Sequence, residues 1–172
     1  MVFLNQNRMN HFKNMLRSYE FFIQEKENLE FSIESSLKHI ELIKDSMVIE
    51  PKSVSFDRVA VQGSPDYHKI EQDRLERVDE AYSRIDRTEQ KIRADRNNLR
   101  IIERKIEMIN QFISYCDKDI GQAAFRIYCL NESTFNIEAK RLFIERKTLQ
   151  RRMNEEIVNF FKDVPRDIVF MY

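Results

Sequence analysis

Residues 75–116 read LERVDEAYSRIDRTEQKIRADRNNLRIIERKIEMINQFISYC, and in this stretch Val78, Ile85, Ile92, Leu99, Ile106 and Ile113 recur every seven residues. No glycine or proline interrupts residues 66–120, so the repeat predicts one long helix carrying a coiled-coil seam. A second apolar row accompanies it. Leu75 and Tyr82 lie three residues before Val78 and Ile85, whereas Ile102, Ile109 and Cys116 lie three residues after Leu99, Ile106 and Ile113. The companion row is therefore expected to change sides along the helix. Between its halves, Thr88, Glu89, Asp95 and Arg96 offer only polar partners, which predicts a weakly packed neck or a change of partner.

Upstream, Met9, Phe12, Leu16, Tyr19 and Ile23 step by three and four, and after a polar gap at residues 26–28 the stripe resumes at Leu29, Ile33, Leu37, Ile40 and Ile43. An amphipathic helix follows from that spacing, with the gap as its expected break. The two blocks form either a helical hairpin or arms embracing a second copy; periodicity alone does not choose. Of 172 residues only 2 are glycine and 3 are proline, which argues against folds of many short strands, Rossmann-type folds and glycine-rich phosphate loops. The expected class is all-α: a long helical hairpin or coiled coil followed by a C-terminal helix-turn-helix.

The breakers also divide the chain. Residues 1–46 form an N-terminal amphipathic region and 47–66 a linker that contains Pro51, Gly63 and Pro65. Val54, Phe56, Val59 and Val61 suggest a short extended segment there, and Ser64 or Asp66 can cap the next helix. The long heptad helix covers 67–117, and Gly121 is expected to separate it from a DNA-binding-like domain over 118–164, closed by Pro165. The tail, 165–172, ends in five apolar side chains that are expected to pack on the core or across a dimer interface.

Lys plus Arg and Asp plus Glu each total 29, so no global field steers a polyanion and any nucleic-acid signal is local. Cys116 and Cys129 form no CxxC pair and suit a reducing cytosol as small apolar residues. His11, His39 and His68 are scattered, so no metal site is expected. Acidic pairs such as Asp79/Glu80 and Glu155/Glu156 fit solvated helix faces better than acid-base chemistry. No catalytic residue and no cofactor is expected. The N-terminus lacks a signal-peptide core and no apolar run nears the ~18 residues of a membrane span; the expectation is a cytoplasmic protein with no membrane partner.

The local signal lies at the C-terminal end. Residues 1–50 carry 6 basic and 8 acidic side chains, but 133–162 carry 7 and 4. Ser133 or Thr134 can cap a short helix with an inner face of Phe135, Ala139 and Leu142; Phe143, Ile144 and Glu145 make a turn; a second helix buries Leu149, Met153, Ile157 and Phe160. That arrangement matches a helix-turn-helix, whose second helix enters the major groove by its N-terminal end. Arg146, Arg151 and Arg152 are the expected phosphate contacts, and Lys147, Thr148 and Gln150 the expected base-reading residues. Two positions depart from the usual motif: Glu138 stands where an apolar residue is common, and Phe143 where the turn favours a small residue.

The order of parts resembles the phage-encoded late-gene transcription regulators of the RinA and ArpU type. The likeness is carried by Phe56-Asp57-Arg58-Val59-Ala60-Val61-Gln62-Gly63-Ser64-Pro65 before the long helix, by Phe125-Arg126-Ile127-Tyr128, and by the turn and helix from Leu142 to Arg152. The resemblance implies a C-terminal helix-turn-helix like region 4 of sigma factors. It further implies a prokaryotic-virus or prophage protein that binds double-stranded promoter DNA in the host cytoplasm and controls late or packaging genes. A homodimer, held by the coiled-coil region, would present two recognition helices, with RNA polymerase or another host protein as a further partner. The alternative is a helical coiled-coil adaptor or inhibitor that binds a host protein instead of DNA; neutral net charge and the acidic Glu138 and Glu145 favour it.

Overall fold

The fold, obtained as a computed structural model, describes residues 6–47 and 67–163. The extended segment, the caps Ser64 and Asp66, Pro51, Gly63, Pro65, the resemblance stretch 56–65, Pro165 and the apolar tail all lie outside the described residues. The chain is all-α. Its described elements are α1 (Gln6–Arg17), α2 (Tyr19–Met47), α3 (Tyr67–Tyr115), α4 (Lys118–Ala124), a π-helical turn (Phe125–Cys129), α5 (Phe135–Arg141) and α6 (Arg146–Asp163). They divide into two compact units, with boundaries at Glu27/Asn28 and Leu99/Arg100.

The unit of residues 28–99 is an antiparallel hairpin within one chain. Ile40, Ile85 and Ile92 are buried together, with Ile33, Ile43 and Met47 against them. The seam of α3 does not change sides here. Residues three after each heptad isoleucine or valine, namely Ala81, Thr88 and Asp95, are half-buried, whereas Leu75 and Tyr82 are each 61% exposed. Polar side chains hold the seam because the facing helix satisfies them: the Ser32 hydroxyl donates to Asp95 Oδ2 at 2.9 Å. The facing helix shows the same substitution. Ser36 is buried and its neighbour Leu37 is exposed, opposite to the apolar stripe expected from sequence. A polar pair inside an otherwise apolar seam fixes register at some cost in stability.

The other unit has an aromatic core. Phe12 of α1 meets Phe112 of α3 edge-on at 5.1 Å between ring centroids, and Phe160 of α6 lies 5.4 Å from Phe112. Leu16, Ile109, Leu149 and Ile157 are fully buried around them. Such rings bury large apolar areas and gain roughly 0.5–1.5 kcal/mol per pair beyond that burial. Cys116 and Cys129 are free and buried in this core; burial pushes both thiols up to about 12, so they stay protonated and act as apolar groups.

Two helix breaks differ from those expected. The N-terminal block bends at Ser18 and runs unbroken through residues 26–28. Ser18 Oγ donates to the Asn14 carbonyl at 3.1 Å, and its backbone N–H is shared between Asn14 and Met15. This side-chain competition for a helix carbonyl is a known cause of bending. Gly121 does not end α3 either: it sits inside α4, and the break falls at Cys116 and Asp117. Its requirement is steric, because a Cβ there would stand 2.7 Å from the Ile113 carbonyl oxygen and 3.2 Å from Cys116 Cβ.

Candidate nucleic-acid interface

The C-terminal pair of helices is built from local signals. Thr134 takes an extended conformation, φ −119° and ψ 160°, and its hydroxyl accepts from the Ile137 backbone N–H at 3.4 Å, capping α5. The other end closes through two reverse bonds: Phe143 N–H donates to the Lys140 carbonyl and Ile144 N–H to the Ala139 carbonyl. That is a Schellman closure, which needs a left-handed residue. Phe143 supplies it at φ 54° with its ring 95% exposed, at a site where glycine would avoid the Cβ penalty.

Glu145 then receives the first bond of α6, its carbonyl accepting from Leu149 N–H at 3.0 Å. An acidic side chain at this end favours the helix dipole. Along α6, Leu149, Met153, Ile157 and Phe160 are all buried, as the sequence spacing predicts.

Glu138 is fully enclosed. Arg126, delivered by the π turn, donates to both of its oxygens, Nε to Oε1 at 3.0 Å and Nη2 to Oε2 at 2.8 Å. Arg141 adds a bond of 3.2 Å to Oε1. The Arg126 bonds hold the Glu138 carboxyl below its usual range against the opposing effect of burial. The residue that departs from the apolar pattern of the motif is thus a bidentate internal tie, and its charge is not presented at the surface.

Six side chains form the sequence-predicted site, and they divide by helix geometry. Lys147, Gln150 and Arg151 line one shallow face of about 590 Å³ that continues along Asn154 and Val158. Arg151 is also held at 3.8 Å from Glu155, an exposed pair of small energetic weight. Arg146 opens instead onto a neighbouring hollow with Asn131, Asn136 and Arg17. At 100° per residue, Thr148 and Arg152 fall on the opposite flank from Arg146 and Gln150; Thr148 is half-buried and Arg152 exposed.

Sequence spacing did not point to α1, yet α1 meets both the π turn and α6. Lys13 Nζ donates to Asn154 Oδ1 at 2.7 Å, and the Arg17 guanidinium stands 5.7 Å from the centroid of the Tyr128 ring. The signal that could have found them is short. Residues 1–19 contain Arg8, Lys13 and Arg17 and no carboxylate, an excess hidden when charge is counted over 1–50.

Among the described residues, no helix is long and apolar enough to cross a membrane, and no three His, Cys, Asp or Glu side chains gather as a metal site. The chain matches no protein-family model, no curated protein and no solved structure.

Proposed function

We propose that the protein is a DNA-binding transcription regulator, encoded by a phage or prophage, in which α5, the turn at Phe143 and α6 act as a helix-turn-helix. The observation that carries this is the face of α6: Lys147, Gln150 and Arg151 share one open surface near its N-terminus, while the opposite face is buried. Those residue types donate to guanine O6 and N7, pair with adenine, or bind phosphate. The inward turn of Glu138 removes one acidic group from that surface. The family resemblance supplies the gene class, late or packaging genes, and the bacterial cytoplasm as the place of action. No enzymatic step and no cofactor belongs to this function.

The expected result is that Lys147→Ala with Gln150→Ala lowers affinity for a duplex selected from a random library by 10-fold or more, since each good base contact is worth about 1–3 kcal/mol. Fluorescence anisotropy measures it, with circular dichroism as the folding check. Unchanged affinity would remove α6 from the interface.

A second reading is favoured by the exposed apolar residues of the hairpin. Leu37 and Tyr82 hold the same heptad position beside the seam on the two helices, and Leu75 lies one heptad before Tyr82. This side suits either the second copy of a dimer or a host protein bound by an adaptor. Sedimentation of the full chain distinguishes a homodimer, and capture from host lysate after nuclease treatment distinguishes the adaptor.

A further inference from the structure

Two hollows open beside α6, on the flank of Arg146 and Gln150. The larger, about 580 Å³, lies between α1 and α6 and is edged by Asn10, Lys13, Asn14 and Arg17 on one side and Gln150 and Asn154 on the other. The smaller, about 300 Å³, shares Arg17 and adds Asn131, Asn136 and Arg146. No carboxylate lines either hollow. Three cations and a set of side-chain amides therefore converge where the chain supplies no counter-charge.

The cations are also crowded. Lys13 loses basicity first through burial and then through the neighbouring positive charge of Arg17. Arg17 Nη1 donates to Asn14 Oδ1 at 3.3 Å, a neutral acceptor. Like charges brought together without an acid are relieved by a bound anion, and amide N–H groups donate to phosphate oxygens without carrying further charge.

We propose that the hollow between α1 and α6 takes the phosphodiester backbone of the DNA that α6 reads, with Lys13, Arg17 and Arg146 as phosphate contacts. This rests on the interface assigned to α6 above. The rim formed by Arg146, Gln150 and Asn154 is common to the hollows and adjoins the face of Lys147 and Arg151, so one strand can run from the base-reading surface into the acid-free channel. Phosphate contacts of this kind set register and affinity and leave sequence preference to the base contacts.

The test compares the full chain with Lys13→Gln/Arg17→Gln on the selected duplex and on a random-sequence duplex. Each lost phosphate contact lowers the slope of log affinity against log salt by about 0.9, so the double variant is expected to lose roughly 2 from the slope and to weaken on both duplexes alike. The charge-retaining Lys13→Arg/Arg17→Lys variant is expected to restore the slope, which a merely structural role for the two side chains would not produce. A slope indifferent to Lys13 and Arg17, in a chain whose duplex binding still depends on Lys147 and Gln150, overturns this inference and leaves the α6 interface standing. Failure of the unaltered chain to bind any duplex overturns both.

Discussion

Around Phe112, three phenylalanine rings from α1, α3 and α6 meet within about 6 Å of one another; in the hairpin of residues 28–99, three isoleucines are buried and the seam between them includes Thr88, Asp95 and Ser36. The contrast separates two ways of using heptads. One unit converts them into a dense core on which several short helices converge. The other keeps two helices in register with little apolar burial and one interhelical hydrogen bond. Side chains that would strengthen the hairpin, Leu37 and Tyr82, stand beside the seam and remain exposed.

The largest expected effect breaks the aromatic unit. Phe112→Ala is expected to cost about 3–5 kcal/mol by leaving a cavity among rings that cannot close over it. Ile92→Ala in the hairpin is expected to cost about 2 kcal/mol, the low end of such truncations, because its polar seam neighbours already limit packing. Urea titrations followed by circular dichroism give both values; equal losses would erase the contrast between the two units.

Glu138→Gln comes next. It leaves Arg126 without its carboxylate, and removal of one partner of a buried pair costs about 3 kcal/mol, near the lower end because Arg126 keeps 26% side-chain exposure. The folded carboxyl has a depressed pKa, so its contribution is present above the unfolded value of about 4.3 and is lost as pH falls through the lower folded value. The Gln variant should therefore show a shallower acid limb in its stability profile. An acid limb identical to that of the unaltered chain would contradict the tie.

Phe143→Gly is the smallest and has the opposite sign. Removing the left-handed strain is expected to raise stability by about 1 kcal/mol or less, after the added freedom of glycine in the unfolded chain is subtracted. Calorimetry decides it, and a loss of stability would mean that the exposed ring contributes contacts to the fold.

Much of the C-terminal pair was legible because its signals are local. Thr134 caps where the sequence allows Ser133 or Thr134, and the buried face of α6 consists of the four residues its spacing picks out. The hairpin was legible in existence but not in register. Hydrophobicity favours Leu37 over Ser36 and Tyr82 over Thr88, whereas the positions are decided by a facing helix that satisfies hydroxyl and carboxylate groups. The interface was half legible. Lys147, Gln150 and Arg151 follow from helical period, but Lys13 and Arg17 reach the same region only through the packing of α1, more than a hundred residues away in sequence. Glu138 was misjudged as a surface acid because its partner Arg126 arrives from a segment whose hydrogen bonding is not α-helical.

That segment, Phe125–Cys129, holds one residue more than an α-helical path of the same course would, with Leu130 N–H reaching back to the Phe125 carbonyl. The surplus residue works as a phase setting. A single-residue deletion there would relax the turn to ordinary pitch and rotate everything after it by about 100°. Arg126 and Glu138 would then lose alignment, and α6 would turn its Lys147 face away from α1. Insertions and deletions within these five residues are thus expected to be tolerated far less well than substitutions on the open face of α6.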